Sequence, residues 1–181
     1  MSIIVTGGAG FIGSHFLHHL LTVTDEEIIV IDNLTYAANK EYVPHQLTFL
    51  ECDISNKKHV EEIFYKFKPK KVFNFAAESH VDNSIKNVDP FISTNISGTC
   101  NLLRSSVDYG VNKFHHISTD EVYGSLEYDD TKLFSEDTPY DPRNPYSASK
   151  ASAEHMVKAW NNTYGLPYLI TSAANNYGPR Q

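Results

Sequence analysis

Short apolar runs alternate along this chain with longer stretches whose apolar residues recur at helical spacing. Residues 2–6 (Ser2-Ile3-Ile4-Val5-Thr6) form the first apolar, β-branched run, and Phe11, Ile12, Phe16, Leu17, Leu20 and Leu21 then mark one face of a helix over 11–21. Strands are predicted at 28–31 and 47–50, and a helix over 60–67 opened by Ser55. Further strands follow at 71–75, 113–118 and 166–171, with helices over about 90–107 and over 146–164, the last ended by Gly165. The apolar runs do not alternate with polar residues, as they would if one face met water. Strands of this kind lie in a parallel sheet covered on both faces. The expected fold is therefore α/β: a Rossmann-like, doubly wound parallel sheet with helices on both faces, formed as one domain over 1–181. Ligands of such sheets sit at the carboxyl ends of the strands.

Composition narrows the picture. A chain of 181 residues with 41% apolar content can build a real core. Its formal net charge of −7 argues against nucleic acid as a partner, since a duplex demands a basic face. Cys52 and Cys100 lie far apart without metal-ligand spacing and read as reduced, half-buried thiols of a cytoplasmic protein. His15 and His19 share a helix face but lack the glutamate of a metalloprotease site, and His115 and His116 alternate on a strand, so at most one faces the core. No metal is expected. Met1 runs straight into a strand, with no basic leader and no long apolar segment, so neither a signal peptide nor a membrane span is expected.

Thr6-Gly7-Gly8-Ala9-Gly10-Phe11-Ile12-Gly13 falls between the first strand and the first helix. Gly8, Gly10 and Gly13 satisfy G-x-G-x-x-G, and Gly7, Gly10 and Gly13 satisfy G-x-x-G-x-x-G. Glycines let backbone approach a pyrophosphate, and the helix amino end offers free N–H donors. Asp32 ends the second strand about 20 residues beyond Gly13, where a carboxylate would accept the ribose hydroxyls of a dinucleotide. It would repel a 2′-phosphate, and no arginine follows to counter it, so NAD is favoured over NADP. Asp53 follows the third strand beside Ile54. Spacing leaves two readings open: contact with the adenine amino group, or a role with Ser55 in starting the next helix.

Past the fifth strand, Ser118-Thr119-Asp120-Glu121-Val122-Tyr123-Gly124 puts two adjacent carboxylates behind hydroxyls. Tyr146 and Lys150 follow, i and i+4 on one helix face. An ammonium near the phenol would favour phenolate and lower a pKa of about 10 toward the working range. The spacing alone means little, because Tyr36/Lys40, Tyr109/Lys113 and Tyr128/Lys132 share it. Context at a helix start behind the fifth strand singles out 146/150. By composition alone, Asp120 and Glu121 would be two solvated loop acids; their position at a strand's carboxyl end overturns that.

With the run Ile31-Asp32-Asn33-Leu34-Thr35-Tyr36, the run Ala76-Ala77-Glu78-Ser79-His80-Val81-Asp82 and the run Asn175-Asn176-Tyr177-Gly178-Pro179, the chain resembles the extended short-chain dehydrogenases/reductases. Within that group, Thr119-Asp120-Glu121 resembles the nucleotide-sugar 4,6-dehydratases. The resemblance implies a hydro-lyase of deoxysugar biosynthesis that uses NAD to convert dTDP- or UDP-glucose to the 4-keto-6-deoxy sugar. It implies that Tyr146 takes the 4-hydroxyl proton as hydride leaves C4, and that Lys150 holds the nicotinamide ribose. Thr119 would bond the 4-oxygen, Glu121 remove the C5 hydrogen, and Asp120 protonate the departing 6-hydroxyl before hydride returns to C6. Gly7, Gly10, Phe11, Ile12, Gly13, Asp32, Asn33, Leu34, Thr35, Asp53, Ile54, Ala76 and Ala77 would, with Tyr146 and Lys150, hold the cofactor. Ser79, His80, Thr119 and Asn176 match substrate positions, with His80 expected to pack and hydrogen-bond rather than to catalyse.

The chain departs from the family at Asn83, where arginine is usual, and in Ser172-Ala173-Ala174. Relatives also continue, after Asn-Asn-Tyr-Gly-Pro, into a C-terminal substrate lobe that is missing here. The expectation is a chain that binds NAD, turns over poorly by itself and self-associates, as a homodimer or with a chain supplying that lobe. The dimer would use the helices near 90–107 and 146–164. An epimerase or decarboxylase of the same family, or a non-catalytic NAD-binding fragment, stand as the alternatives.

Overall fold

A computed structural model of the chain describes residues 1–127, 131 and 133–181. Six parallel strands, β1 (Ser2–Thr6), β2 (Glu27–Asp32), β3 (Thr48–Glu51), β4 (Lys71–Asn74), β5 (Lys113–Thr119) and β6 (Tyr168–Ala173), form one sheet in the order β3-β2-β1-β4-β5-β6. The order reverses between β1 and β4, so the loops leaving them diverge and open a crevice at their carboxyl ends. Register brings those ends level: Thr6 pairs with Ile31 and Asn74, Asn74 with His116, and Asp32 with Glu51.

The helices are α1 (Phe11–Val23), α2 (Lys57–Phe67), α3 (Val81–Lys86), α4 (Asp89–Phe91), α5 (Thr99–Asp108) and α6 (Pro145–Tyr164). A π-helical stretch, Ile92–Gly98, joins α4 to α5 within the helical run read from the sequence over 90–107. The sequence reading had no counterpart to α3. It also assigned the start of α2 to Ser55. The cap is instead Asn56, whose side chain accepts from His59 N at 3.2 Å. At α6, Asn144 and Ser147 form a reciprocal capping box, Pro145 occupies the first turn, and Gly165 closes the helix at φ +70.

Alternate residues of each strand feed two cores, which is why the runs are apolar throughout. Ile4, Ile29, Val72 and Phe114 pack with α2, α5 and α6 around Phe64, Leu102, Leu103 and Val157. Ile3, Val5, Ile28 and Val30 pack on the other face against Leu17 and Leu20 of α1. That second face thins toward β6. Phe16 lies over Phe73 and Phe75 at 4.7 and 5.0 Å, while Leu169 and Thr171 beyond them are exposed. Of the cysteines, Cys52 is fully rather than half buried, and burial pushes its thiol up to about 11. Among the described residues no helix is long and apolar enough to cross a membrane.

The capping assignment has a direct test. Asn56→Ala should cost about 1 kcal/mol in urea unfolding, and Ser55→Ala less than about 0.5 kcal/mol. The reverse ranking would return the cap to Ser55.

Candidate active site

The carboxyl ends of β1, β2, β4 and β5 surround a cavity of about 280 Å³. The loop after β1 enters α1 with no side-chain cap, leaving the first amide N–H groups of that helix facing it. Gly7 turns at φ +68. A Cβ on Gly13 would lie 2.2 Å from Gly7 O, and one on Gly7 2.6 Å from Ala76 N, so the loop's own packing requires both glycines. Gly10 differs: a Cβ there would meet only Gly7 O at 3.4 Å, and the residue lines the cavity. A side chain at this position would fill space that the fold itself leaves open, and that is what a cradle for a pyrophosphate requires.

Asp32 Oδ2 accepts from Ala9 N and Oδ1 from Leu34 N, each at 2.9 Å, so the acid is fixed to the glycine loop. Burial raises its pKa against the pull of these backbone bonds. Asn33 and Thr35 line the cavity. Leu34 does not; at φ 50 it turns back and packs on the core under α1. Asp53 and Ile54 line the far end. Asp53 Oδ1 accepts from Ser55 N at 2.8 Å, so it shapes the approach to α2, Asn56 makes the cap, and Asp53 still reaches the cavity.

At the opposite end Ala76, Ala77, Ser79, Tyr146 and Lys150 complete the wall. Lys150 is buried, and its Nζ donates to Ile117 O at 2.6 Å. Burial pulls its pKa down from 10.5 to about 8, with Glu154 opposing. Tyr146 departs from the expectation of a lowered phenol. Burial raises its pKa, a hydrogen bond with Thr119 lowers it, and the charges of Glu121 and Asp120 raise it. Lys150 is thus not what governs this phenol; desolvation is.

A second cavity of about 360 Å³ adjoins the first across Phe11, Ile12 and Tyr146, and is lined by Ser79, Thr119, Glu121 and Asn176. Thr119 caps the short 3₁₀ turn Asp120–Tyr123 through Glu121 N at 3.3 Å, and Asn144 Nδ2 donates to Glu121 Oε2 at 3.1 Å. Asp120 lies 3.5 Å from Thr119 Oγ1 but lines neither cavity. His80 also lines neither: it is exposed at the start of α3 without a side-chain cap bond, contrary to the packing role expected of it. His116 is buried and His115 bonds Thr171 at 2.7 Å. Of the remaining Tyr/Lys spacings, Tyr109 ends α5 while Lys113 begins β5, and Tyr128/Lys132 lies outside the described residues. Among the described residues no group of three His, Cys, Asp or Glu side chains could hold a metal.

Sequence reasoning missed Asn95. Buried in the π-helical stretch, it accepts from Glu78 N, donates to Glu78 O at 2.9 Å and to Ser149 Oγ at 2.8 Å, and so clamps the loop after β4 to α6. A single asparagine in an amphipathic run carries no signal for this. Missed too was the network beneath the loop: Thr6 Oγ1 donates to Asn74 Oδ1 (2.7 Å) and accepts from Ala76 N, while Asn74 Nδ2 reaches Thr99 and His116 Nδ1.

A doubly wound parallel sheet with a glycine loop after β1, an acid ending β2 and a Tyr-x-x-x-Lys pair behind β5 defines a Rossmann-type domain of the short-chain dehydrogenase/reductase kind. Residues 4–181 match the family described as GDP-mannose 4,6 dehydratase, and the chain belongs to that family. It is 46% identical to the dTDP-glucose 4,6-dehydratase of Neisseria meningitidis serogroup B, a match over 98% of this chain and 54% of that protein. The structure of DesIV, the dTDP-glucose 4,6-dehydratase of Streptomyces venezuelae, solved with NAD bound, superposes with a TM-score of 0.93 at 43% identity, over 100% of this chain and 58% of that one. The UDP-glucose 4-epimerase of Thermus thermophilus, also solved with NAD, gives 0.94 at 37%, over 100% and 57%. The chain thus spans little more than half the length of these relatives.

The buried lysine makes stability depend on pH. Lys150 holds its proton with a pKa of about 8 when folded against 10.5 unfolded, so between those values the unfolded chain binds more protons and stability rises with pH. Lys150→Met should therefore stabilise the chain at pH 7 by about 2 kcal/mol, after allowing for the lost bond to Ile117 O, and by much less at pH 10. Urea unfolding at the two pH values measures this; an equal gain at both would mean that the buried charge is not the cause.

Proposed function

We propose that the protein is an NAD-dependent nucleotide-sugar 4,6-dehydratase that takes dTDP-glucose or UDP-glucose to the 4-keto-6-deoxy sugar. The observation that carries this reading is the Asp120–Glu121 pair on the turn after β5, with Glu121 held by Asn144 at the mouth of the cavity that Tyr146 shares. A hydride transfer at one carbon needs one base. Removing water as well needs a further base and acid, and this turn carries both. The 4,6-dehydratase relatives support the same reading.

The open cradle at Gly10 and the free N–H groups of α1 fit a dinucleotide's pyrophosphate, Asp32 its adenosine ribose, and Asp53 with Ile54 its adenine. Asn33, Thr35, Ala76 and Ala77 wall the channel between. Bound NAD would supply a hydride acceptor for C4, a hydride donor for C6, and a positive ring charge. Tyr146 takes the 4-hydroxyl proton, helped by its bond with Thr119, and Lys150 presents an ammonium to the nicotinamide ribose. Glu121 then removes the C5 proton, acidified by the adjacent ketone, and returns it to C5 when hydride reaches C6. Asp120 gives its proton to the departing 6-hydroxyl, so it must be neutral while Glu121 is charged, a division that adjacent carboxyls favour because one charge raises the other's pKa. Ser79 and Asn176 face the sugar side. We read the protein as a cytoplasmic homodimer built on α5 and α6. Its two free cysteines support the compartment, and the exposed Ile92 just ahead of α5 supports the interface.

An epimerase is the competing reading, since an epimerase structure superposes equally well. The test is to incubate the protein with NAD and either sugar nucleotide and weigh the product. Loss of one water supports the dehydratase, and an unchanged mass with an inverted 4-hydroxyl supports the epimerase. Asp120→Asn should stall after oxidation and accumulate reduced cofactor, where an epimerase would be indifferent. Tyr146→Phe should slow cofactor reduction by about 10²–10⁴-fold.

A further inference from the structure

Behind the candidate site lies a buried carboxylate that the proposed reaction does not use. Glu154, one turn beyond Lys150 on α6, is 1% exposed. Its Oε1 accepts from Ser118 Oγ and its Oε2 from Tyr140 OH, each at 2.5 Å. Lys158 Nζ donates to the Tyr140 oxygen and lies over its ring, which turns the phenolic proton toward Glu154. Tyr140 stays a phenol, its pKa raised first by burial and then by that bond. One side chain thus ties together the segments that bear the reacting groups: the end of β5 just before Thr119, the strand-to-helix segment through Tyr140, and α6 with Tyr146 and Lys150.

Lys150 itself is fully enclosed and donates to a neutral carbonyl, Ile117 O. The charges around it differ in kind. Asp120 and Glu121 bear on Tyr146. His116 on β5 is buried, its pKa pulled well below 6.5 first by burial and then by Lys150, so it is neutral. Lys158 and His155 on α6, Tyr123 after β5 and Tyr168 on β6 stand around Tyr140, on the far side of the carboxylate. Among the described residues, Glu154 is the acid whose charge favours the Lys150 ammonium: it sits four residues on along the same helix, and both side chains are buried.

We propose that Glu154 is a positioning residue: its buried carboxylate keeps Lys150 an ammonium at neutral pH and locks the carboxyl end of β5 to α6. The inference rests on Tyr146 and Lys150 being the chemical pair. It adds to that reading a reason why a lysine so deeply buried still carries the charge its role requires. A carboxylate accepting at both oxygens is what the Ser118 and Tyr140 donors demand; Gln keeps the shape and removes the charge.

The test is the titration of Lys150, followed through its side-chain ¹⁵N resonance in the whole chain and assigned by its loss in Lys150→Met. The unaltered protein should titrate near 8. In Glu154→Gln the midpoint should fall by about one unit or more, and in Glu154→Asp, which restores the charge, it should return most of the way. An unmoved Lys150 in a folded Glu154→Gln chain would overturn the proposal, because a purely structural glutamate would leave the lysine unchanged. Should that variant not fold, the ¹³C carboxyl resonance of Glu154 in the unaltered chain decides: ionised through pH 7 supports the proposal, and neutral there defeats it. Neither titration needs turnover. A negative product assay would therefore sink the dehydratase reading and leave this one standing, and the converse holds equally.

Discussion

An ammonium group held in the interior, with one carbonyl oxygen as its direct partner, constrains much of this molecule. Lys150 sits there with α6 pinned to the end of β5 and to the loop after β4 along its first three turns. Asn144 and Ser147 set where the helix begins. Asn95 and Ser149 attach it to the loop after β4, and Glu154 attaches it to Ser118. Small residues on the buried face, Ala151 and Ala153, let the helix come close to its neighbours. The desolvation that pulls the lysine down also raises Tyr146, so before any ligand is present burial moves the two groups apart and favours the uncharged form of each.

The other half of the crevice rests on a different constraint, backbone packed on backbone. Gly7 and Gly13 bring the first loop, the loop after β4 and the start of α1 within distances that no Cβ could share. Beneath them the Thr6–Asn74–His116–Thr99 network pairs polar groups in a stretch of sheet otherwise filled by aliphatic side chains, although His116 Nε2 has no partner among the described residues. Parallel register sets both halves level, so the glycine loop, Asp32, Ala76 and the Tyr146–Lys150 pair open on one cavity although they are far apart in the chain. The second cavity meets the first at Tyr146, the point where oxidation and loss of water would have to communicate.

Much of this was legible from residue order. The strands and most helices follow from apolar periodicity, and the end of α6 from Gly165. Errors fell where near neighbours compete. Ser55 and Asn56 are both competent caps, and only the helix path selects Asn56. Leu34 stands in a run that otherwise faces the cavity, yet a positive φ turns it inward. His80 lies beside Ser79 but stays in solvent.

The sequence by itself determined the sheet, the glycine loop, the acid at the end of β2 and the spacing of Thr119, Asp120, Glu121, Tyr146 and Lys150. Each of these is a local pattern, set by a helical or strand period or by a turn that tolerates only certain residues. Tertiary structure alone decided what those groups are worth chemically. The pKa of Tyr146 and Lys150, the clamp by Asn95 and the support from Glu154 depend on burial and on partners distant in sequence. Desolvation and long-range hydrogen bonds come into being when the sheet closes, and no period along the chain records them.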